Sequence, residues 1–126
     1  MTSSSPRNAI VLFAHGSRDP LWHKPMEAVA ERIRAQSANV EVTCAYLELS
    51  QPDLPDTVSR LVAKEVNHIT IVPMFLGVGR HAREDLPELV VQLKAQHPTV
   101  TFHLQAAVGE DARLLDMLAK IALSPA

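Results

Sequence analysis

The chain is poor in several residue types that would announce a function. It has one cysteine, four glycines, one tryptophan and one tyrosine in 126 residues. So few aromatics leave no platform on which nucleic-acid bases could stack. Twelve Lys and Arg stand against fourteen Asp and Glu, a formal net charge of −2, so the basic stripe of a nucleic-acid binder is absent too. Cys44 cannot form an intrachain disulfide and belongs to no CxxC motif. It sits in an alternating apolar stretch and reads as a buried core thiol in a reducing compartment. No apolar run approaches the ~18 residues of a membrane span. The N-terminal MTSSSPRN is polar, and Ile10–Ala14 is too short for the apolar region of a signal peptide. A cytoplasmic protein without membrane contact is expected. No GxxxxGK[ST] occurs, which excludes a P-loop. Gly77-Val-Gly79 is a fragment of a dinucleotide loop that lacks its third glycine and follows the third strand rather than the first.

What is present is a globular composition, 47% hydrophobic and 21% charged, enough for one self-supporting core. Ala9–Ala14 is a continuous apolar run, the pattern of a strand buried on both faces. Asp19-Pro20 supplies a cap and a first-turn proline. Pro25 would interrupt a helix begun there, so regular helix is expected from Pro25, with Met26, Val29, Ala30 and Ile33 on one face. Val40–Leu47 alternates as a second strand. Pro52-Asp53 opens a second helix carrying Leu54, Val58, Leu61 and Val62. His68–Val72 is a third strand, ended by Pro73 to Leu76 and the loop Gly77–Gly79. A third helix is expected to begin near Asp85–Pro87, with Leu86, Leu89, Val90 and Leu93 buried, and to stop at His97-Pro98. Val100, Phe102 and Leu104 mark a fourth strand. Gly109-Glu-Asp precedes a last helix with Leu114, Leu115, Leu118 and Ile121. The order βαβαβαβα predicts an α/β fold: one doubly wound, four-stranded parallel sheet over residues 1–126 with right-handed crossovers and strand order 2-1-3-4. Residues 1–7 and 123–126 are expected to be frayed ends.

Such sheets bind ligands beyond the carboxyl ends of their strands, where the strand order reverses. With order 2-1-3-4 that point lies between strands one and three. The loop after strand one is His15-Gly-Ser-Arg-Asp19, and the loop after strand three is Gly77-Val-Gly-Arg-His81. Each carries a histidine, and two imidazoles on converging loops can hold a divalent transition ion. His68, His97 and His103 fall at element ends or on a polar face and read as surface residues, whereas His23 lies close to the first loop. Ser17 with His15 and Asp19 makes no triad, because all three share one short loop. Arg18, Arg80 and Arg83 flank the two histidine loops and suit carboxylates of a polyanionic substrate.

Taken together, His15-Gly-Ser-Arg-Asp-Pro20, Leu47-Glu-Leu-Ser-Gln-Pro52, Val72 to His81, Arg83-Glu-Asp-Leu-Pro87 and Gly109-Glu-Asp-Ala-Arg113 resemble the small sirohydrochlorin chelatases of the CbiX type, in the class II chelatase superfamily. The resemblance spans nearly the whole chain. It implies a chelatase half-domain that inserts cobalt, or in relatives nickel or iron, into sirohydrochlorin on the way to cobalamin or another modified tetrapyrrole. It further implies that His15 is catalytic base and metal ligand, that His81 is the second ligand, and that Leu76, Gly77, Val78, Gly79, Arg80 and His81 form the substrate loop. Another substrate contact falls on Gln51, where relatives often carry Glu; Glu48 is the nearest acidic substitute. No tightly bound cofactor is expected, Co²⁺ (or Ni²⁺ or Fe²⁺) being the substrate metal. Larger chelatases resemble two such halves in one chain, so a homodimer with the tetrapyrrole between subunits is expected. The residues alone leave open a non-catalytic metal carrier and a flavodoxin-like module for a small anion.

Overall fold

The computed structural model describes residues 7–124, with the side chain of His81 outside that description. Four strands, β1 (Asn8–Ala14), β2 (Val40–Tyr46), β3 (His68–Pro73) and β4 (Thr101–Leu104), form one sheet. All neighbours are parallel and the order is β2-β1-β3-β4, as the element pattern predicts. Four helices accompany them: α1 (Lys24–Gln36), α2 (Leu54–Ala63), α3 (Arg80–Gln96) and α4 (Ala112–Leu123).

Strand alternation divides the core between the two faces of the sheet. Val11, Phe13, Ile69, Ile71 and Phe102 point to one side, where they meet Leu54, Val58 and Leu61 of α2 and Leu86, Val90 and Leu93 of α3. Leu12, Ala14, Val42, Cys44 and Tyr46 point to the other, beneath Ala30 and the half-buried Met26, Val29 and Ile33 of α1. Full burial of each large aliphatic side chain contributes about 1.5–3 kcal/mol, so the face under α2 and α3 carries most of the stabilisation. Cys44 is buried and unpaired, as its setting indicated.

Local chemistry fixes most helix starts. The Asp53 carboxylate accepts from Asp56 N at 2.9 Å, and Thr57 Oγ1 donates to Asp53 O at 2.7 Å, so α2 begins on a doubly anchored cap. Asp19 accepts from Leu21 N and starts a 3-10 turn over Pro20–His23, which runs straight into α1. The expected interruption before Pro25 is therefore a change of helical pitch. Pro25 lies in the first turn of α1, where the missing N–H goes unneeded.

Three expectations are corrected. Helix α3 starts at Arg80, five residues before the predicted region, and Pro87 lies inside it. Pro87 resembles a start signal, but Gly79 already caps the helix and Arg83 N donates to Gly79 O at 3.1 Å. Ala82 and Leu86 face the core from this first stretch, and the Pro87 ring is exposed. Arg80 and His81 consequently belong to a helical first turn and not to a loop. Arg7 is not frayed: its N–H donates to Asn67 Oδ1 at 2.9 Å, and its carbonyl accepts from Asn67 N and His68 N. Leu123 is the last residue of α4. The remaining terminal residues, 1–6 and 125–126, lie outside the described residues.

Helix α4 departs from the other three. Its apolar stripe is present, but none of its residues is buried. Leu115, Met117, Leu118 and Ile121 are all exposed, and its principal packing is on the short 3-10 turn Val108–Glu110 just before it.

Candidate functional site

The carboxyl edge of the sheet is built by loops that lock onto one another through backbone contacts. After β1 the chain turns at Gly16, which has φ +98°. This left-handed conformation costs any other residue type strain. The turn lets the loop after β2 run alongside: Leu47 N donates to Ala14 O at 2.8 Å and Glu48 N donates to His15 O at 3.0 Å. The approach is so close that a Cβ on Gly16 would lie 1.8 Å from the Glu48 carbonyl oxygen. Leu49, in the same loop, also has positive φ, 65°, and is exposed.

His15 stands at the end of β1 and is exposed, with its backbone carbonyl held by Glu48. Its ring packs on Phe75, centroids 4.3 Å apart and planes at 35°. Phe75 is buried and meets Phe13 edge-on at 6.1 Å. The His15 imidazole is thus carried on a buried aromatic support whose position is set by β1 and β3. Gly109 closes the other side: its N–H donates to Phe75 O at 2.9 Å, and a Cβ there would meet the Leu76 carbonyl oxygen at 1.8 Å. The segment before α4 thereby fixes the start of the substrate loop predicted from sequence.

Ser50 ties the remaining pieces. Its hydroxyl donates to Ser17 O at 2.6 Å, accepts from Ser17 N at 3.0 Å and lies 2.9 Å from His23 Nε2. The His23 ring stacks on Tyr46 at 4.7 Å. His23 is therefore a structural clamp on the His15 loop. Burial, and next the neighbouring Cys44 thiol, push the Tyr46 hydroxyl up to about 12. The Cys44 thiol is itself pushed up to about 11 by burial and by the Glu27 carboxylate, so both stay protonated at neutral pH.

The other predicted residues occupy the same edge. Leu76, Gly77, Gly79 and Arg80 are exposed and Val78 is half-buried against the core. His81 is the second residue of α3, so its backbone stands at the end of this loop; its side chain lies outside the described residues. Gln51 and Glu48 are both exposed in the loop after β2. Arg18 and Arg83 are exposed, and Arg80 makes one exposed contact with Glu84, Nε to Oε1 3.3 Å. Among the described residues no three His, Cys, Asp or Glu side chains gather as a metal cage. A cavity of about 150 Å³ lies beside Phe75, bordered by Val78, Arg83, Leu86 and Gln105. A larger one, about 540 Å³, lies at the β2 edge between Glu41, Pro52 and Arg60, away from His15.

Sequence reasoning missed Phe75, Ser50, Gly16 and Gly109. Gly16 had a visible signal, a glycine directly after a strand and a histidine. The contacts of Phe75, Ser50 and Gly109 join segments distant along the chain and leave no periodic trace.

Residues 9–123 match the CbiX family model. A sirohydrochlorin cobaltochelatase of Methanococcus aeolicus is 34% identical over 82 residues, 65% of this chain and 57% of that protein. The chain therefore aligns with little more than half the length of this curated relative. The crystal structure of a CbiX protein from Marinobacter aquaeolei VT8 superposes with a TM-score of 0.80 at 35% identity, covering 92% of this chain and 94% of that one. SirB from Bacillus subtilis with Fe³⁺ superposes with a TM-score of 0.74 at 25% identity, over 90% of this chain but only 45% of SirB. No helix among the described residues is long and apolar enough to cross a membrane.

Proposed function

Because the chain belongs to the CbiX family, we propose that it is a sirohydrochlorin chelatase that inserts a divalent metal, cobalt first among the candidates, into the tetrapyrrole. The observation that carries this reading is the placement of His15: an exposed imidazole held on buried Phe75 at the strand-order reversal, beside the loop running from Leu76 to His81.

Insertion exchanges one M²⁺ for two pyrrole N–H protons. In this reading His15 first offers its unprotonated nitrogen to the ion; as the ion passes into the ring that nitrogen is freed and accepts one of the two protons as general base, the other leaving to solvent water. His81 is the second ligand. Two protein ligands leave coordination positions open, so the ion is held loosely enough to pass into the macrocycle. The ion is a substrate, and no resident cofactor takes part. Arg18, Arg80 and Arg83 hold the carboxylates at the ring periphery, and Leu76 to Arg80 lie along the macrocycle. Gln51 contacts the substrate as a neutral hydrogen-bonding group. The exposure of His15, Leu76, Gly77 and Arg80 supports a homodimer, the second subunit supplying a further wall around the macrocycle. A cytoplasmic location goes with this reading, in keeping with the lone unpaired thiol of Cys44.

The test is a spectrophotometric assay with sirohydrochlorin and Co²⁺, compared with Ni²⁺ and Fe²⁺. Acceleration over the spontaneous insertion is expected, together with its loss in His15→Ala and in His81→Ala without unfolding. Stoichiometric Co²⁺ binding with no acceleration would replace the enzyme with a metal carrier.

A further inference from the structure

We propose that the groove between the outer edge of β2 and helix α2 is a binding site for a small organic phosphate, separate from the His15 edge.

The spacing along α2 builds one wall. Thr57, Arg60, Leu61 and Lys64 stand at i, i+3, i+4 and i+7, so they share one side of the helix and its end. Thr57 and Leu61 are buried, and Arg60 and Lys64 are exposed beside them. The facing wall is β2. Glu41 and Thr43 point to the α2 side of that strand, in register with the inward Ala9 and Val11 of β1. Arg34 reaches over from the last turn of α1. Its Nη2 donates to Val42 O at 2.9 Å and its Nη1 to Glu31 Oε1 at 3.1 Å. The space between these walls is about 540 Å³, with Val42, Pro52 and Leu61 as its apolar part.

Charge decides the sign of the ligand. Arg34, Arg60 and Lys64 line the groove against one acid, Glu41, which Lys64 meets at 3.2 Å. A quarter of the chain's Lys and Arg thus gather here, in a molecule whose formal net charge is −2. No carboxylate among the described residues pairs with Arg60. The guanidinium of Arg34 has five N–H groups; its two bonds to the protein fix its position and leave the others to a ligand. Positive charge from three places suits a phosphomonoester, which carries about −1.5 to −2 near neutral pH and three acceptor oxygens. A carboxylate brings one charge and two oxygens.

Size and edge geometry decide the rest. Sites for small molecules measure ~300–1,000 Å³, and a bare phosphate leaves most of this groove unfilled. Val42, Pro52 and Leu61 therefore receive an apolar organic body. An extended peptide is disfavoured, although β2 is an edge strand of the sheet and such edges accept added strands. Arg34 occupies the edge at Val42, and Pro52 O takes the N–H of Tyr46 at 2.9 Å. The ~13 Å between these two points admits a small ester and no paired strand.

Titration of the purified full chain with phenyl phosphate, followed through its backbone amide resonances by NMR, tests this. Saturable shifts are expected at Val42, Thr43, Leu61 and Ala63, with inorganic phosphate at least tenfold weaker. Arg60→Gln with Lys64→Gln should weaken phenyl phosphate at least tenfold; should that variant fail to fold, Arg60→Gln alone carries the same test. Arg32→Gln, on α1 outside the groove, should leave the affinity unchanged. Absence of saturation by about 10 mM, or unchanged affinity in the groove variants, would overturn the proposal. Shifts centred on Arg18, Arg80 and Arg83 would overturn it as well, by placing the anion at the His15 edge. A phosphotyrosine peptide that binds the groove more tightly than phenyl phosphate would replace the small ligand with a protein partner. No readout involves a metal or a tetrapyrrole, so failure here leaves the proposed function standing, and a chain without chelatase activity leaves this site standing.

Discussion

Gly16→Ala is the substitution for which the structure gives the sharpest expectation. The backbone there has φ +98°, and the new Cβ would sit 1.8 Å from the Glu48 carbonyl oxygen and 3.3 Å from Tyr46 Cβ. Left-handed backbone in a non-glycine residue costs about 1–2 kcal/mol. Relieving the clash requires the loop after β2 to retreat by about 1.5 Å to restore ordinary contact. That retreat breaks the bonds from Leu47 N to Ala14 O and from Glu48 N to His15 O, each worth about 0.5–1.5 kcal/mol. The total is about 2–5 kcal/mol, which at roughly 4 °C per kcal/mol for a chain of this size lowers Tm by about 8–20 °C. His15 shares the displaced backbone, and a misplacement of about 1 Å can lower turnover about a hundredfold. Thermal unfolding by circular dichroism reads the first effect, and Co²⁺ insertion into sirohydrochlorin, assayed well below the new Tm, reads the second. Gly77→Ala is the internal control, since a Cβ there meets nothing within 4 Å; it should change stability by no more than about 0.5 kcal/mol. A Gly16→Ala protein with wild-type Tm and full activity would refute the claim that this turn clamps the site.

Ser50→Ala removes the link between Ser17 and His23 and should cost about 1–3 kcal/mol; urea unfolding measures it, and an unchanged midpoint would mean that the clamp contributes nothing. Asp53→Ala removes the α2 cap and should cost about 1 kcal/mol, recovered largely by Asp53→Ser. Alkaline pH should weaken the fold through Cys44. Its folded pKa, about 11, lies above the ordinary 9.0, so its contribution is complete below pH 9 and is lost as pH rises towards 11. The loss is at most about 2–3 kcal/mol, and Cys44→Ala should flatten the stability profile over that window.

The strand order was legible because its causes are local and repeated. Continuous apolar runs such as Ala9–Ala14 mark strands covered on both faces, helical spacing marks α1 to α3, and their alternation leaves few topologies. The same logic placed His15 at the reversal point before any contact was known. Pro87 misled the reading of α3 because a proline in the first turn and an exposed one farther inside look alike along the chain; only the cap at Gly79 and the inward face of Ala82 and Leu86 separate them. By itself, then, the sequence determined the element order, the faces and the edge on which the chemistry stands. Tertiary structure alone decided that His15 rests on Phe75, that Gly16 and Gly109 each leave room for a distant carbonyl, and that no residue of α4 is buried by the other described residues. The physical reason is that periodicity records which side of an element is apolar, whereas what lies against that side is settled by segments far away along the chain.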